Sequence, residues 1–437
     1  MIVLSNIGTL YDGSSDDARA LHHGADLLLD GERVSALEPH RPDRPLAEGD
    51  VSVDASAWTV TPGLVDCHAH ITALGLTGAD IDRSNGLANQ LWVEKVLYAS
   101  LVDGGVTSMR DVGGATAQMR SWVEDGLVIG PHLKVSICML SSTGGHADFR
   151  GPDRCHAEIS RLWPPGPGRP SSIVDSPWDA RVRVREIGAC GGDLVKLCTS
   201  PGVASPGDKL EHRDLHEEEI AAICEEADAR GLNVAAHAHS KSGIRLAIEH
   251  GVHDLQHISY MDEELVELAD ARGCVVTPTS WVIDELLNAE GLSDFVMEKV
   301  KQVADVHRAA VQFAASGGLP ILAGTDPVLP GMHGRNYREI RALYRDGLSA
   351  LRAWHGMTGL AAKEIGFDER GALRAGAAAD LLVWSTDVVD DPERLHPDAL
   401  VEVVQDGRGH RAGLDAFEQR RFETGLRDLL WPGGYPD

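Results

Sequence analysis

The sequence predicts an α/β protein: a (β/α)8 TIM barrel with a small β-sandwich domain built from both chain ends. Three observations carry this expectation. From Pro62 onward, apolar runs of four to seven residues alternate with longer amphipathic stretches, as in parallel strands joined by helices. On either side of that region the chain reads as short β-strands separated by turns. Histidines recur where several of the apolar runs end, which in a barrel brings distant residues to one face.

The elements follow in order. Strands are expected at Met1–Ile7, Ala25–Leu29 before Asp30-Gly31, Arg33–Leu37, Ser52–Asp54 and Trp58–Thr61. The barrel strands are expected at Gly63–Asp66, Ser108–Asp111, Lys134–Met139, Leu194–Cys198, Val234–His237, Asp254–Ile258, Val275–Pro278 and Ile321–Gly324. Helices between them are expected over Asn89–Asp103, Glu217–Ala229, Lys241–His250, Glu263–Ala271 and Phe295–Ala315, then over Arg338–Leu343 and Ser349–Met357. Leu381–Trp384 and Leu400–Gln405 return to strand character. Residues 1–62 and 368–412 are therefore assigned to a composite sandwich, 63–367 to the barrel and 413–437 to a charged tail. Arg161 to Pro170 is rich in Pro and Gly and reads as a long loop, and the insertion 162–176 could fold over a site as a lid.

Charge and cysteine usage narrow the class. With 67 acidic against 40 basic residues the formal charge is −27, which disfavours nucleic acid and anionic membranes as partners. The seven cysteines stand singly, with no CxxC pair, which fits a reducing compartment. The first residues lack the pattern of a signal peptide, and no run of 18 apolar residues occurs, so a cytoplasmic protein acting on a small-molecule substrate is expected.

The chemistry sits at strand ends. His68-Ala69-His70 follows an apolar run, and residues two apart on a strand face the same side, so both imidazoles can converge on one ion. Alone, an HxH is a weak signal. His237, His239 and His257 end later strands, and Gly324-Thr325-Asp326 closes the last one with a carboxylate that in isolation would be a helix cap or turn residue. Lys196 lies among apolar neighbours on Leu194–Cys198, where an unpaired ammonium is costly. An ion pair, an edge-strand surface position and an anionic carbamate are its three readings. His146, after Gly144-Gly145, is either a loop histidine or a residue brought into a cleft.

Several motifs together resemble the amidohydrolase superfamily: Pro62-Gly-Leu-Val-Asp-Cys-His-Ala-His70, Gly105 to Gly113, Ser142-Thr-Gly-Gly-His146, Val234-Ala-Ala-His-Ala-His239, Gly251 to His257, Ala323-Gly-Thr-Asp326 and Gly371 to Val383. The resemblance spans about residues 1–410 and is nearest to the branch of imidazolonepropionase-related hydrolases with Xaa-Pro and Xaa-Arg dipeptidases. It implies His68, His70 and Asp326 as ligands of a buried ion, His237 and His257 as ligands of a more exposed one, and carboxylated Lys196 as the bridge. His239 becomes a pocket residue and His146 a substrate contact. It also implies a homo-oligomer.

The mechanism implied is hydrolysis of an amide, in an N-acyl amino acid or a dipeptide-like substrate. Two divalent ions, zinc by default, would lower the pKa of a bridging water to give hydroxide. Asp326 would act as general base, and His146 would donate a hydrogen bond to the oxyanion. The alternative within enzymes is hydrolysis of a xenobiotic amide, carbamate, ester or lactone by the same centre. A non-catalytic barrel acting as a binding module should have lost ligands, whereas all six positions hold competent residues. A mononuclear deaminase has no use for Lys196. The turn after Lys196, Thr199-Ser-Pro-Gly-Val203, departs from the Gly-Gly pair of the dipeptidase branch.

Overall fold

The computed structural model describes residues 1–76, 87–148, 163, 165–203, 209–411 and 413–420. Two layers of antiparallel and mixed sheet come from the chain ends. One has four strands in the order Arg33–Pro39, Ala25–Asp30, Ile2–Ile7, Val51–Asp54. The other has six strands, in which Leu381–Trp384 pairs with Thr59–Pro62 on one side and Leu400–Gln405 on the other. Alternating apolar residues from both sheets, among them Leu4, Leu27, Val60, Leu381 and Val404, form one dry cluster that Phe417 closes. Residues from both chain ends thus share one sheet. The rest of the expected tail, 421–437, lies outside the described residues.

The central region holds two parallel sheets. Three strands run in the order His132–Val135, Val106–Asp111, Leu64–Ala69. Five more run Met139–Leu140, Leu194–Cys198, Asn233–Ala238, Asp254–His257, Val275–Thr277. The register aligns Lys196 with Met139 and Ala235, and Cys198 with His237, so the functional ends of these strands are level. Val195 and Leu197 enter the large core under the helices, while Lys196 turns to the opposite face and meets Gln256.

Two expected strands differ. Lys134–Met139 is split: Val135 ends one piece and Met139 begins the next, with Ile137 between them in the left-handed region at φ 69°. Ile321–Gly324 is not a strand, so the assigned strands form two parallel sheets rather than one continuous ring of eight. Pro320 has no N–H to offer a ladder, and Gly324 lies so close to His68 that a Cβ would fall 2.5 Å from its side chain. The segment is nonetheless held on both sides. The Leu322 N–H donates to Val276 O at 2.8 Å, and the Cys67 N–H donates to Ala323 O at 3.0 Å.

The expected helices are present within a few residues, although Asn89–Asp103 becomes an α-helix Leu87–Tyr98 followed by a π-turn over Ala99–Asp103. Four helices went unexpected: Ala117–Glu124, Pro177–Ala189, Ser280–Leu287 and Gly359–Glu364. Pro177–Ala189 starts where the Pro/Gly-rich loop ends, with Ser176 accepting the Asp179 N–H and Pro177 in the first turn. Among the described residues, no helix is long and apolar enough to cross a membrane.

Candidate active site

The ends of the parallel strands open into a cavity of about 750 Å³, its mouth included, lined by His68, His70, His146, Lys196, His237, His239, His257 and Asp326. Every expected site residue is brought to this one place. Two groups of donors stand out. His68, His70 and Asp326 have ligand atoms within 4.8 Å of one another, as do His237, His239 and His257. His68 Nε2 and His70 Nε2 each lie 3.4 Å from the same Asp326 oxygen. His239 thus stands as close to the second group as His237 and His257 do.

The backbone is bent to make this arrangement. His257 (φ 69°) and Asp326 (φ 46°) both occupy the left-handed region, which costs a non-glycine residue of order 1 kcal/mol or more and persists only where the surroundings enforce it. For Asp326 the enforcing contacts are plain. Its N–H donates to His68 O at 2.8 Å, while the preceding Thr325 donates N–H and O–H to the buried Asp66 carboxylate at 3.1 and 2.5 Å. Asn336 reaches the same carboxylate at 2.7 Å. Asp66 therefore ties the strand carrying His68 to the turn carrying Asp326.

The imidazoles are neutral for a physical reason. Burial in the first place, then the neighbouring Lys196 charge, hold His68 well below its usual value. Burial and then the other imidazoles do the same to His237 and His257, and burial takes His239 down to about 3. His70 is lowered by burial against the opposing pull of Asp326. Burial draws the Lys196 ammonium down to about 8 and pushes the Asp326 carboxyl up. Neutral imidazoles carry the lone pairs a metal needs. Within this cluster, His68 Nδ1 and His237 Nε2 are buried with no hydrogen-bond partner among the described residues. The donor set therefore suits divalent transition-metal ions.

Several supporting residues were not foreseen. His70 Nδ1 donates to Gly113 O at 3.0 Å. His257 Nδ1 meets Thr279 Oγ1 at 2.8 Å, and His239 Nδ1 meets Ser259 Oγ at 2.8 Å. Gln256 accepts a hydrogen bond from Lys196. His146 stacks on His237 with ring centroids 4.0 Å apart. Its backbone N–H donates to Asp214 at 2.6 Å, and Gly202 lies so close behind the ring that a Cβ there would come within 2.2 Å of it. Gly202 is the glycine of the turn that departs from the dipeptidase pattern. Trp163 stacks on His70 at 5.1 Å and donates its indole N–H to Thr72 at 2.8 Å. Arg110 and Asp111, though adjacent, find separate partners. Arg110 binds Asp254 and Cys67 O, while Asp111 accepts backbone N–H groups from Ile71, Gly113 and Ala115, because successive strand residues point to opposite faces.

A sheet-based frame with neutral histidines and an aspartate at its strand ends defines a class of hydrolase. The chain belongs to the amidohydrolase family, whose pattern matches residues 59–408, and it is an enzyme of that hydrolase class. Ochratoxinase of Aspergillus niger is 32% identical over 366 residues, covering 79% of this chain and 74% of that protein. Its crystal structure superposes with a TM-score of 0.82 at 26% identity, covering 96% of this chain and 98% of the other. A prolidase solved in complex with N-methylphosphonate-L-proline gives a TM-score of 0.84 at 30% identity, covering 94% of this chain and 99% of that one.

Proposed function

We propose that this chain is a binuclear metal-dependent hydrolase that cleaves an amide bond in an N-acyl amino acid or dipeptide-like small molecule, on a (β/α)8-type frame spanning residues 63–367. The observation that carries the reading is the convergence of two donor groups on one cavity that the buried Lys196 also lines. His68, His70 and Asp326 would hold one ion, His237 and His257 the other, and carboxylated Lys196 would offer an oxygen to each. Such ions, zinc by the character of the donors, supply Lewis acidity toward a carbonyl and toward water.

The remaining work falls to side chains. Asp326 takes a proton from the attacking water and passes it to the leaving nitrogen. His146, neutral and fixed by stacking and by Gly202, donates its N–H to the carbonyl oxygen as negative charge develops there. His239 lies beside them as a substrate contact. A second reading, hydrolysis of a non-peptide amide, carbamate, ester or lactone by the same residues, is favoured by the ochratoxinase relative, which by its name acts on ochratoxin. The prolidase structure, with its proline phosphonate, favours the first.

The test is metal content and turnover together. Protein expressed with bicarbonate and zinc should carry about two ions per chain and hydrolyse members of an N-acyl amino acid and aryl amide panel. Asp326→Asn should lower kcat by roughly 10² to 10⁴. A chain that holds no metal, or an Asp326→Asn variant that keeps full activity, would overturn the proposal.

A further inference from the structure

We infer that the helix Ser280–Leu287 forms a subsite for a bulky apolar group, about two fused rings in length, beside the scissile bond. This rests on the amide hydrolase reading and names the substrate class it leaves open: amides carrying an aromatic or similarly large apolar substituent.

The argument begins with where the helix starts. Thr279, whose hydroxyl meets His257 Nδ1 at 2.8 Å, immediately precedes it. From there Val282, Ile283 and Leu286 line the same cavity as the histidines and Asp326, together with Val203 and Val328. From Val282 to Leu286 is four residues, so at 1.5 Å per residue the apolar face beside these histidines is roughly 6 Å long. The carboxylates of the helix lie off this cavity, Asp284 and Glu285 lining a different cleft with Arg338, Arg341 and Arg345. Glu285 pairs with Arg338 at 3.0 Å and accepts the Trp281 indole N–H at 2.9 Å.

This wall is preformed. Glu339 accepts the Ser280 and Trp281 N–H groups at 2.9 and 2.7 Å, fixing the first turn of the helix. Behind it, Val282, Ile283 and Leu286 belong to one cluster with Val296, Val300 and Val303 of the long helix Asp294–Ser316. A rigid apolar wall gains from covering an apolar group and gives nothing to a carboxylate or an ammonium, which would lose water there without a partner. The binding energy of a large apolar substituent can therefore be used at the reacting carbonyl, and a small one leaves the wall wet.

The experiment compares kcat/KM for matched amides that differ only in one substituent: N-2-naphthoyl against N-acetyl derivatives of one amino acid, and 2-naphthylamide against methylamide of one acyl group. The holoenzyme should prefer the naphthyl member at least tenfold in one of the two series. In Leu286→Asp, and in Leu286→Ala should the first fail to fold, that ratio should collapse toward one whatever the absolute rate. Equal kcat/KM within both pairs, or a ratio untouched by a folded Leu286 variant, overturns the subsite while leaving amide hydrolysis standing. If no amide is cleaved, quenching of tryptophan fluorescence by the naphthoyl compound decides separately. Binding that weakens in the Leu286 variants supports the subsite even as the hydrolase reading falls, and absence of binding to the wild-type protein overturns it.

Discussion

At the scale of single residues, the protonation of the candidate-ligand imidazoles His70 and His257 is set by groups with only one chemical choice. A hydroxyl has one proton. Thr279 gives its proton to Pro278 O at 2.6 Å, so it can only accept from His257, which places the hydrogen on Nδ1 and leaves the Nε2 lone pair for the cavity. Gly113 O can only accept, and it fixes His70 in the same way. Thr279→Val keeps the shape and removes the acceptor. It should weaken metal affinity or kcat/KM by about 10 to 100-fold, with Thr279→Ser restoring both. Competition against a graded chelator reads the affinity directly, and a Thr279→Val protein that holds zinc as tightly as wild type would show that the hydroxyl does not orient His257. The histidines themselves were legible because their residue type and their place after apolar runs carry the signal. Thr279, Gly113, Asp66 and Gln256 were not, since what makes them matter is a partner brought close only by folding.

At the scale of elements, regular strands and long amphipathic helices could be read from periodicity, and the failures have local causes. Ser280–Leu287 follows the strand Val275–Thr277 with only Pro278 and Thr279 between them, and its Val-Ile and Leu-Leu pairs give no clean helical stripe. Ile321–Gly324 has the composition of a strand, but neighbouring backbone hydrogen bonds hold it without a ladder. In the sandwich, the strand Ala25–Asp30 carries a device that neither composition nor period reveals. Asp26 is buried and accepts the Asn6 N–H at 2.9 Å, the Arg41 N–H at 3.1 Å, His40 Nδ1 at 2.7 Å and the Arg44 guanidinium at 3.0 Å. Burial alone would raise this carboxyl, but these donors outweigh it and hold it down at about 2. A folded-state value below the unfolded one means that the native state binds fewer protons. The stabilisation is therefore complete above about pH 4 and is lost as pH falls toward 2. It amounts to about 2 kcal/mol. Denaturant unfolding should show Asp26→Asn less stable by about that much at pH 7, with the gap to wild type narrowing as pH drops below 4. A constant gap across that range would mean that charge at Asp26 contributes nothing.

At the scale of the whole molecule, the histidines, Lys196 and Asp326 that line the cavity were read from the strand ends, whereas its apolar lining could not be, because it joins residues as far apart as Ala73 and Val328. That joining has a consequence for stability. The donor residues come from one parallel sheet at His68 and His70, from the other at His237 and His257, and from the turn at Asp326. Without ions, those strand ends are joined by packed neutral rings, by Arg110 bound to Asp254 and Cys67 O, and by Asp66 with Thr325 and Asn336, and the left-handed backbone at His257 and Asp326 has less to enforce it. Ions that bind this arrangement and not the unfolded chain stabilise it by mass action, about 2.7 kcal/mol at a free concentration one hundred times Kd. Stripping the metal should therefore lower Tm by roughly 3 °C, from an unfolding entropy of about 2.1 cal/mol/K per residue over the whole chain, and zinc should restore it in a concentration-dependent manner. Calorimetry of chelated and reloaded protein distinguishes the cases. A Tm that stays put after elemental analysis confirms the loss of metal would mean that hydrogen bonds alone, such as those of Asp66 to Thr325 and Asn336, already hold the strand ends together.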